Sequence, residues 1–263
     1  MGVYLRVAGY AFRRYSTYRV ATASAVVTNT VFGFLRAYIL IALWQARPQL
    51  GGYDVADAVA FSFLTQALIG PVNVFAGSLE LTGRIRTGDV AVDLHRPVDL
   101  QGWWLADDLG RAVFALVFRG VPTLAAGMVA FGIPLPGPAT LAAFLGSAAL
   151  AVLVGFALRY LVSLCCFWLG DERGLHTVST VSTMFFSGMI LPLVVFPGPL
   201  GEVARALPWA ALIQVPADVF LGRHTGTGLL GVYAFQAAWA VALLGAGRAL
   251  TRAARHRLMI HGG

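Results

Sequence analysis

Long apolar segments dominate this sequence and restrict the folds open to it. We place six of them at about residues 20–44, 55–78, 111–132, 140–167, 177–196 and 228–250. A membrane-spanning helix needs about 20 consecutive apolar residues. Of the 263 residues, 58% are hydrophobic and 12% are charged, whereas soluble domains carry roughly a quarter charged residues. The sequence therefore predicts an all-α polytopic membrane protein, with six transmembrane helices in a single domain spanning residues 1–263.

Three segments outside these spans have patterns of their own. Residues 1–19 place apolar and arginine side chains on separate faces at helical spacing, which is typical of an amphipathic helix in the membrane interface. Residues 80–99 combine mixed charge with Gly and Pro, so they form either a cytoplasmic docking segment or a solvated loop. Residues 197–227 are broken by prolines into short amphipathic pieces. They either dip into the outer leaflet as re-entrant helices or cap the bundle as an ordinary loop.

The distribution of arginine predicts the orientation of the chain. With the N-terminus inside, the inner segments hold 12 arginines and the outer segments hold 3. Cytoplasmic loops of membrane proteins are enriched in Lys and Arg, so both termini should lie in the cytoplasm. A net charge of +7 would also suit a nucleic-acid binder. Its placement at the inner ends of spans instead predicts a multi-pass protein of the inner (plasma) membrane, with lipid as a partner and no nucleic acid.

The chain lacks the sequence motifs of the common catalytic sites. It has no G-x-x-x-x-G-K-[ST] phosphate loop, no H-E-x-x-H, no G-x-S-x-G and no Cys-His metal spacing. We therefore expect no catalytic residues, no metal and no cofactor bound by this chain. Any work driven by ATP would be performed by another polypeptide.

Two stretches carry a family resemblance. The first reads ELTGRIRTGD, followed by LHRP, and comes after the second span; the second reads FSGMILPLVVFP, followed by LPW and VPADVFLG, and runs from the fifth span into the outer loop. Together with the order of elements, they resemble the permease subunits of type-2 ATP-binding-cassette transporters, the class that contains drug and polysaccharide exporters. In that family the first stretch is a coupling helix seated on the ATPase, and the second leads into outer re-entrant helices.

The resemblance implies roles for particular residues. It implies an ATPase interface formed by Glu80, Arg84, Gly88, Asp89, Arg96 and Pro97. It implies an outer gate region formed by Gly188, Pro192, Phe196 and Pro197. The chain would then be half of an exporter, completed by a second permease, identical or related, and by an ATPase subunit that binds ATP and Mg²⁺. The alternative is a secondary, ion-coupled transporter, which would usually show internal repeats and a titratable residue near the midplane.

Polar and aromatic residues within the spans are candidates for the pathway lining. Gln66 and Asn73 share a helix face, and either line a substrate path or bond to a neighbouring helix. Phe185, Phe186 and Met189 offer an adaptable apolar surface for cargo, although aromatic residues in a span usually pack or face lipid. Nothing in these residues identifies the cargo.

Charged residues at the span limits lead to three further predictions. Arg36 and Asp57 lie towards the outer ends of adjacent spans, so we expect them to pair. Asp107 and Arg111 have the favourable i,i+4 spacing for an ion pair. Arg119 and Arg159 fall towards the inner side of their spans and are expected to extend towards lipid phosphates.

Overall fold

All regular structure in the described part of the chain is helical. The structure is a computed structural model that describes residues 2–75 and 79–261, with side chains up to residue 255. In chain order the α-helices of these residues are α1 (Gly2–Ser16), α2 (Arg19–Ala46), α3 (Val55–Val72), α4 (Glu80–Thr87), α5 (Val90–His95), α6 (Leu100–Ala115), α7 (Val121–Phe131), α8 (Pro138–Leu169), α9 (Arg173–Phe186), α10 (Gly198–Ala206), α11 (Gln214–Phe220) and α12 (Thr227–His261). The predicted all-α class is confirmed.

Five helical segments of the described residues are long and apolar enough to cross a membrane. They are α2, α3, the continuous α6–α7 unit, α8 and α12. The α6–α7 unit begins at Leu100, well before the predicted residue 111, and passes through a π-helical turn at Leu116–Gly120. Helix α3 ends at Val72 rather than at 78; residues 76–78 lie outside the described residues.

The predicted fifth span does not form one long helix. Helix α9 has 14 residues and ends at Phe186. Gly188 then adopts φ +84°, and Pro192 precedes a 3-10 turn at Leu193–Val195. A left-handed residue and a proline both terminate helices. The sixth transmembrane helix therefore stays a prediction.

Helix α3 lies at the centre of the bundle. Its side chains Phe61, Leu64 and Leu68 are fully buried. Two glycines let the α6–α7 unit approach it closely, because a Cβ on Gly127 would lie 2.3 Å from the Phe63 ring, and one on Gly120 would lie 2.7 Å from a main-chain oxygen of α3. The packing core is therefore built around one span that has little contact with lipid.

The bundle has two ends that carry different short helices. At the first, which we call the α1 end, α1 packs along α6, and α4 and α5 pack on the end of α8. At the other, which we call the α11 end, α11 lies beside the connection from α2 to α3, and α10 packs on the turn at Leu193–Val195, which contacts the same connection. The predicted interfacial segment 1–19 and the outer segment 197–227 are thus largely helical, and they lie at opposite ends.

Candidate functional site

The segment from α4 to α5 is a hairpin closed by one buried carboxylate. Asp93 on α5 is buried and accepts hydrogen bonds from Arg84 on α4, including one from Nη2 at 2.9 Å. Arg96 places Nη1 3.4 Å from the same carboxylate. The hydrogen bond to Asp93 raises the pKa of Arg84 above its ordinary value. Gly88 joins the two helices with φ +83°, a conformation that favours glycine. The hairpin is therefore a preformed unit.

Apolar side chains fix this hairpin to the bundle. Leu81 and Val90 are buried, and they pack in one cluster with Trp104 of α6 and with Tyr160 and Leu164 of α8. Burial of a Leu or Val side chain contributes about 1.5–3 kcal/mol. The hairpin is therefore packed against both α6 and α8.

The solvent-facing side of the hairpin carries most of the residues assigned to an ATPase interface. The exposed members of that set are Glu80, Gly88, Asp89, Arg96 and Pro97. Arg84 instead turns inward to Asp93 and closes the hairpin. Sequence reasoning missed two exposed neighbours, Arg86 and Val92, of which Val92 is 58% exposed. An apolar side chain among charges was the signal that could have found it. The interface role of the whole set stays a prediction.

Helix α1 is tied to both the hairpin and α6. Arg14 places Nη1 3.4 Å from the Glu80 carboxylate and Nη2 3.1 Å from the Asp107 carboxylate. The predicted pairing of Asp107 with Arg111 is wrong, because Asp107 faces α1 and Arg111 faces the bundle. Gly110 allows the close approach of α1, since a Cβ there would lie 2.1 Å from the carbonyl oxygen of Ala8.

A buried ion cluster joins α3, α6 and α8. The Asp108 carboxylate accepts from Arg111 Nε at 2.8 Å and from Arg159 Nη2 at 2.7 Å. Arg111 also donates to the carbonyl oxygens of Gly70 and Pro71 at 2.7 and 2.8 Å, and so caps the end of α3. The expectation that Arg159 extends to lipid is wrong, because this carboxylate holds it inside. The cluster therefore links α3 to α6 and α8, the two helices against which the hairpin packs.

A second polar network holds the α11 end together. Tyr53, in the connection from α2 to α3, donates to Asp218 of α11. Gln214 donates to Tyr53 at 3.0 Å and to Asp218 at 2.9 Å, and its side-chain oxygen accepts from the amide of Leu193 at 2.8 Å. One buried glutamine thus links three segments that are distant in sequence.

Asp57 and Arg36 do not pair, contrary to the sequence prediction. Asp57 forms an ion pair with Arg223, which follows α11. Arg36 donates from Nη2 to the carbonyl oxygen of Ile190 at 3.2 Å. Each side chain has another partner instead. The connection between α9 and α10 contacts Arg36 on α2, and Arg223, which follows α11, contacts Asp57 at the start of α3.

The predicted outer gate residues all lie on the connection from α9 to α10. Gly188 lies against Gln214, whose side-chain oxygen would be 2.8 Å from a Cβ at this position. Phe196 packs on Phe185, with ring centroids 5.1 Å apart. Pro192 immediately precedes the 3-10 turn, and Pro197 immediately precedes α10. These residues shape the connection, and their gating role stays a prediction.

An apolar groove of about 790 Å³ runs between α2, α3, α9 and the chain that follows α9. It contains two residues of the predicted pathway lining, Gln66 and Met189. Asn73 lies instead beside a small cavity at the end of α3. Phe185 and Phe186 contact each other, with ring centroids 5.0 Å apart, and lie outside the groove lining. The structure therefore brings two of the five together, and a role in transport remains untested for all five.

No group of three His, Cys, Asp or Glu side chains within the described residues is arranged to hold a metal ion. The expectation that this chain binds no cofactor is not tested by that finding and stays a prediction.

Comparison with known families assigns most of the chain. Residues 29–262 match the family described as ABC-2 family transporter protein. Comparison with curated proteins gives no match. The matched region contains the hairpin, the ion cluster, four of the five long apolar segments and most of the fifth, α2, with the groove residues from Asn29 onward. Since the match covers far more than half of the sequence, the chain belongs to the ABC-2 transporter family, as a multi-pass membrane protein.

Proposed function

We propose that this chain is one permease half of an ATP-driven exporter, coupled through residues 80–99 to a separate ATPase subunit. The observation that carries the proposal is the closed α4–α5 hairpin. It is rigidly anchored to α6 and α8 by Leu81 and Val90, and it presents exposed charged and apolar residues to a partner. Closure of the ATPase would push on this hairpin and move the helices to which it is fixed.

The course of the chain supports six crossings. Leu164, near the end of α8, packs at the α1 end, whereas Gln214 contacts Tyr53 at the α11 end. In this proposal the intervening segment crosses the membrane by way of α9 and the turns that follow. Helix α12 returns, with Gln236 bonded to Ser147 and Thr251 bonded to Tyr160. Six crossings and the arginine bias together support cytoplasmic termini in the inner membrane, with α1 in the interface and α10–α11 as outer re-entrant helices.

A complete transporter would need further subunits. One chain offers a groove that is open along one side, so a second permease, identical or related, would close the pathway. ATP and Mg²⁺ would bind to the ATPase subunit. The secondary-transporter alternative has no observation in its favour in the described residues.

Co-purification with variants of the hairpin surface tests this proposal. The tagged chain is extracted in mild detergent as the wild type, as Arg86→Glu with Val92→Asp, and as Glu202→Arg, an exposed change at the α11 end. A nucleotide-binding subunit should accompany the wild type and Glu202→Arg, and should be lost from the double variant. Absence of any ATPase from the wild type would overturn the proposal, as would equal retention by all three chains.

A further inference from the structure

Among the described residues that line the groove between α2, α3 and α9, one carries a charge. The rest of the lining is mainly apolar and includes Phe32, Ile39, Leu43, Ile69 and Met189. A volume of about 790 Å³ falls in the range of sites for drug-sized ligands, about 300–1,000 Å³. The groove therefore combines space for one apolar body with one fixed positive charge.

The charge belongs to Arg36, and its bonding is incomplete. Its Nη2 donates to the Ile190 carbonyl oxygen at 3.2 Å. Its Nη1 is buried and has no hydrogen-bond partner among the described residues. No carboxylate of these residues lies within ion-pair distance of it. A half-buried guanidinium within a span is costly when it has no counter-ion, which is why such groups usually serve a ligand or a pathway.

The location of Arg36 argues against a lipid-phosphate partner. It lies about 15 Å before the end of α2, from ten residues at 1.5 Å each. Ile39 and Leu43 continue the apolar surface of α2 between Arg36 and that end. The guanidinium is also turned towards Ile190 at the groove wall instead of along the helix.

The described part of the chain supplies a counter-ion for its two most buried arginines. Arg111 and Arg159 share the Asp108 carboxylate. Arg36 is held by one main-chain carbonyl alone, in a groove of ligand size. The missing anion is thus expected from outside the chain.

We propose that the groove binds an amphipathic anion with a single apolar body, and that its acidic head pairs with Arg36. This inference rests on the proposed function, because it assigns the chemical class of the exported cargo. The apolar body lies along Phe32, Ile69 and Met189, and a planar oxyanion such as a carboxylate accepts from the accessible side of the Arg36 guanidinium, where Nη2 lies. A two-chain phospholipid is larger than the drug-sized ligands that fit a groove of this volume.

Binding of matched probes to the purified full chain tests the assignment. The chain is placed in nanodiscs of phosphatidylcholine, and pyrene-labelled dodecanoate, its methyl ester and pyrene-labelled dodecylamine are titrated against energy transfer from tryptophan. Empty nanodiscs correct for partition into lipid. The chains compared are the wild type, Arg36→Gln, Arg36→Lys and Arg47→Gln, the last of which removes an exposed arginine just after α2.

The wild type should bind the acid about tenfold more tightly than the ester or the amine, the scale expected for a hydrogen bond to a charged group. Arg36→Gln should remove this preference and leave ester binding unchanged. Arg36→Lys should retain part of it, and Arg47→Gln all of it. Survival of the preference in Arg36→Gln, or its loss in Arg47→Gln, would overturn the proposal.

Two further arms separate the remaining explanations. Addition of phosphatidylglycerol to the nanodiscs at high salt, where surface charge is screened, should leave the preference of the wild type intact. Loss of the preference would mean that a phospholipid occupies the groove, and it would overturn the proposal.

Co-purification of an ATPase subunit is measured separately on the same chains and should be equal for the wild type and Arg36→Gln. Failure of that assay refutes the permease function, whereas failure of the probe assay refutes only the anion site.

Discussion

Replacement of Asp108 by Asn measures how strongly the buried ion cluster holds the bundle. Asp108 is 3% exposed, and it accepts from two arginines whose side chains are 9% and 10% exposed. An amide cannot neutralise either guanidinium, so the variant buries positive charge without compensation. Removal of one partner from a buried ion pair typically costs about 3–5 kcal/mol. For a chain of this size that corresponds to a fall of about 6–20 °C in the melting temperature.

Asp107→Asn is the matched control, because it makes the same chemical change one residue away. Its side chain is 23% exposed and pairs with Arg14, which is 42% exposed. Such a pair contributes at most about 1 kcal/mol. The assay is the temperature at which half of the purified chain in dodecyl maltoside remains monodisperse on size exclusion. Equal losses for both variants, or no loss for Asp108→Asn, would refute the reasoning.

Three other changes test the packing of the short helices by the same assay. Gly110→Ala should destabilise the chain by about 1–3 kcal/mol, because its Cβ would meet the main chain of α1; Gly83→Ala, in open space on α4, should be neutral or stabilising. Arg84→Met should cost about 1–3 kcal/mol by leaving a buried carboxylate short of a donor, while the exposed Arg86→Met should cost little. Gln214→Leu should cost about 2–3 kcal/mol, since it removes the bonds to Tyr53, Leu193 and Asp218 at the α11 end. A large loss in Gly83→Ala or Arg86→Met, or none in Gln214→Leu, would contradict this packing.

Apolar length made most of the spans predictable from sequence. Helices α2, α8 and α12 begin within a few residues of their predicted starts because apolar composition alone sets their extent. The fifth segment was equally apolar, but Gly188 and Pro192 end its helix early. Hydropathy reports solvent preference and not backbone conformation, so it missed this break.

Two of the ion pairs could not be predicted from spacing along the chain, because their partners are distant in sequence. Arg159 reaches Asp108 from 51 residues away, and Arg223 reaches Asp57 from 166 residues away. Local rules such as i,i+4 pairing favoured Asp107 over its buried neighbour. Arg111 does have a local partner, since Asp108 lies three residues before it, and tertiary packing adds Arg159 to the same buried carboxylate.

The candidate site was partly visible in the sequence. The position of the hairpin followed from its charges, Gly and Pro, and the polar Gln66 pointed to the groove. The inward turn of Arg84 and the isolation of Arg36 depend on the three-dimensional arrangement of α5 and of the chain after α9. The sequence therefore identified the segments that form the candidate site, but it did not predict which hydrogen bonds their side chains form.

The mass of the intact assembly tests the central claim most directly. The chain would be purified in mild detergent from its own membrane and measured by native mass spectrometry, in which each copy contributes 27.9 kDa. A permease half predicts two permease chains together with nucleotide-binding subunits that hydrolyse ATP. A chain found without any nucleotide-binding subunit, and able to move solute in liposomes under an ion gradient alone, would contradict the account.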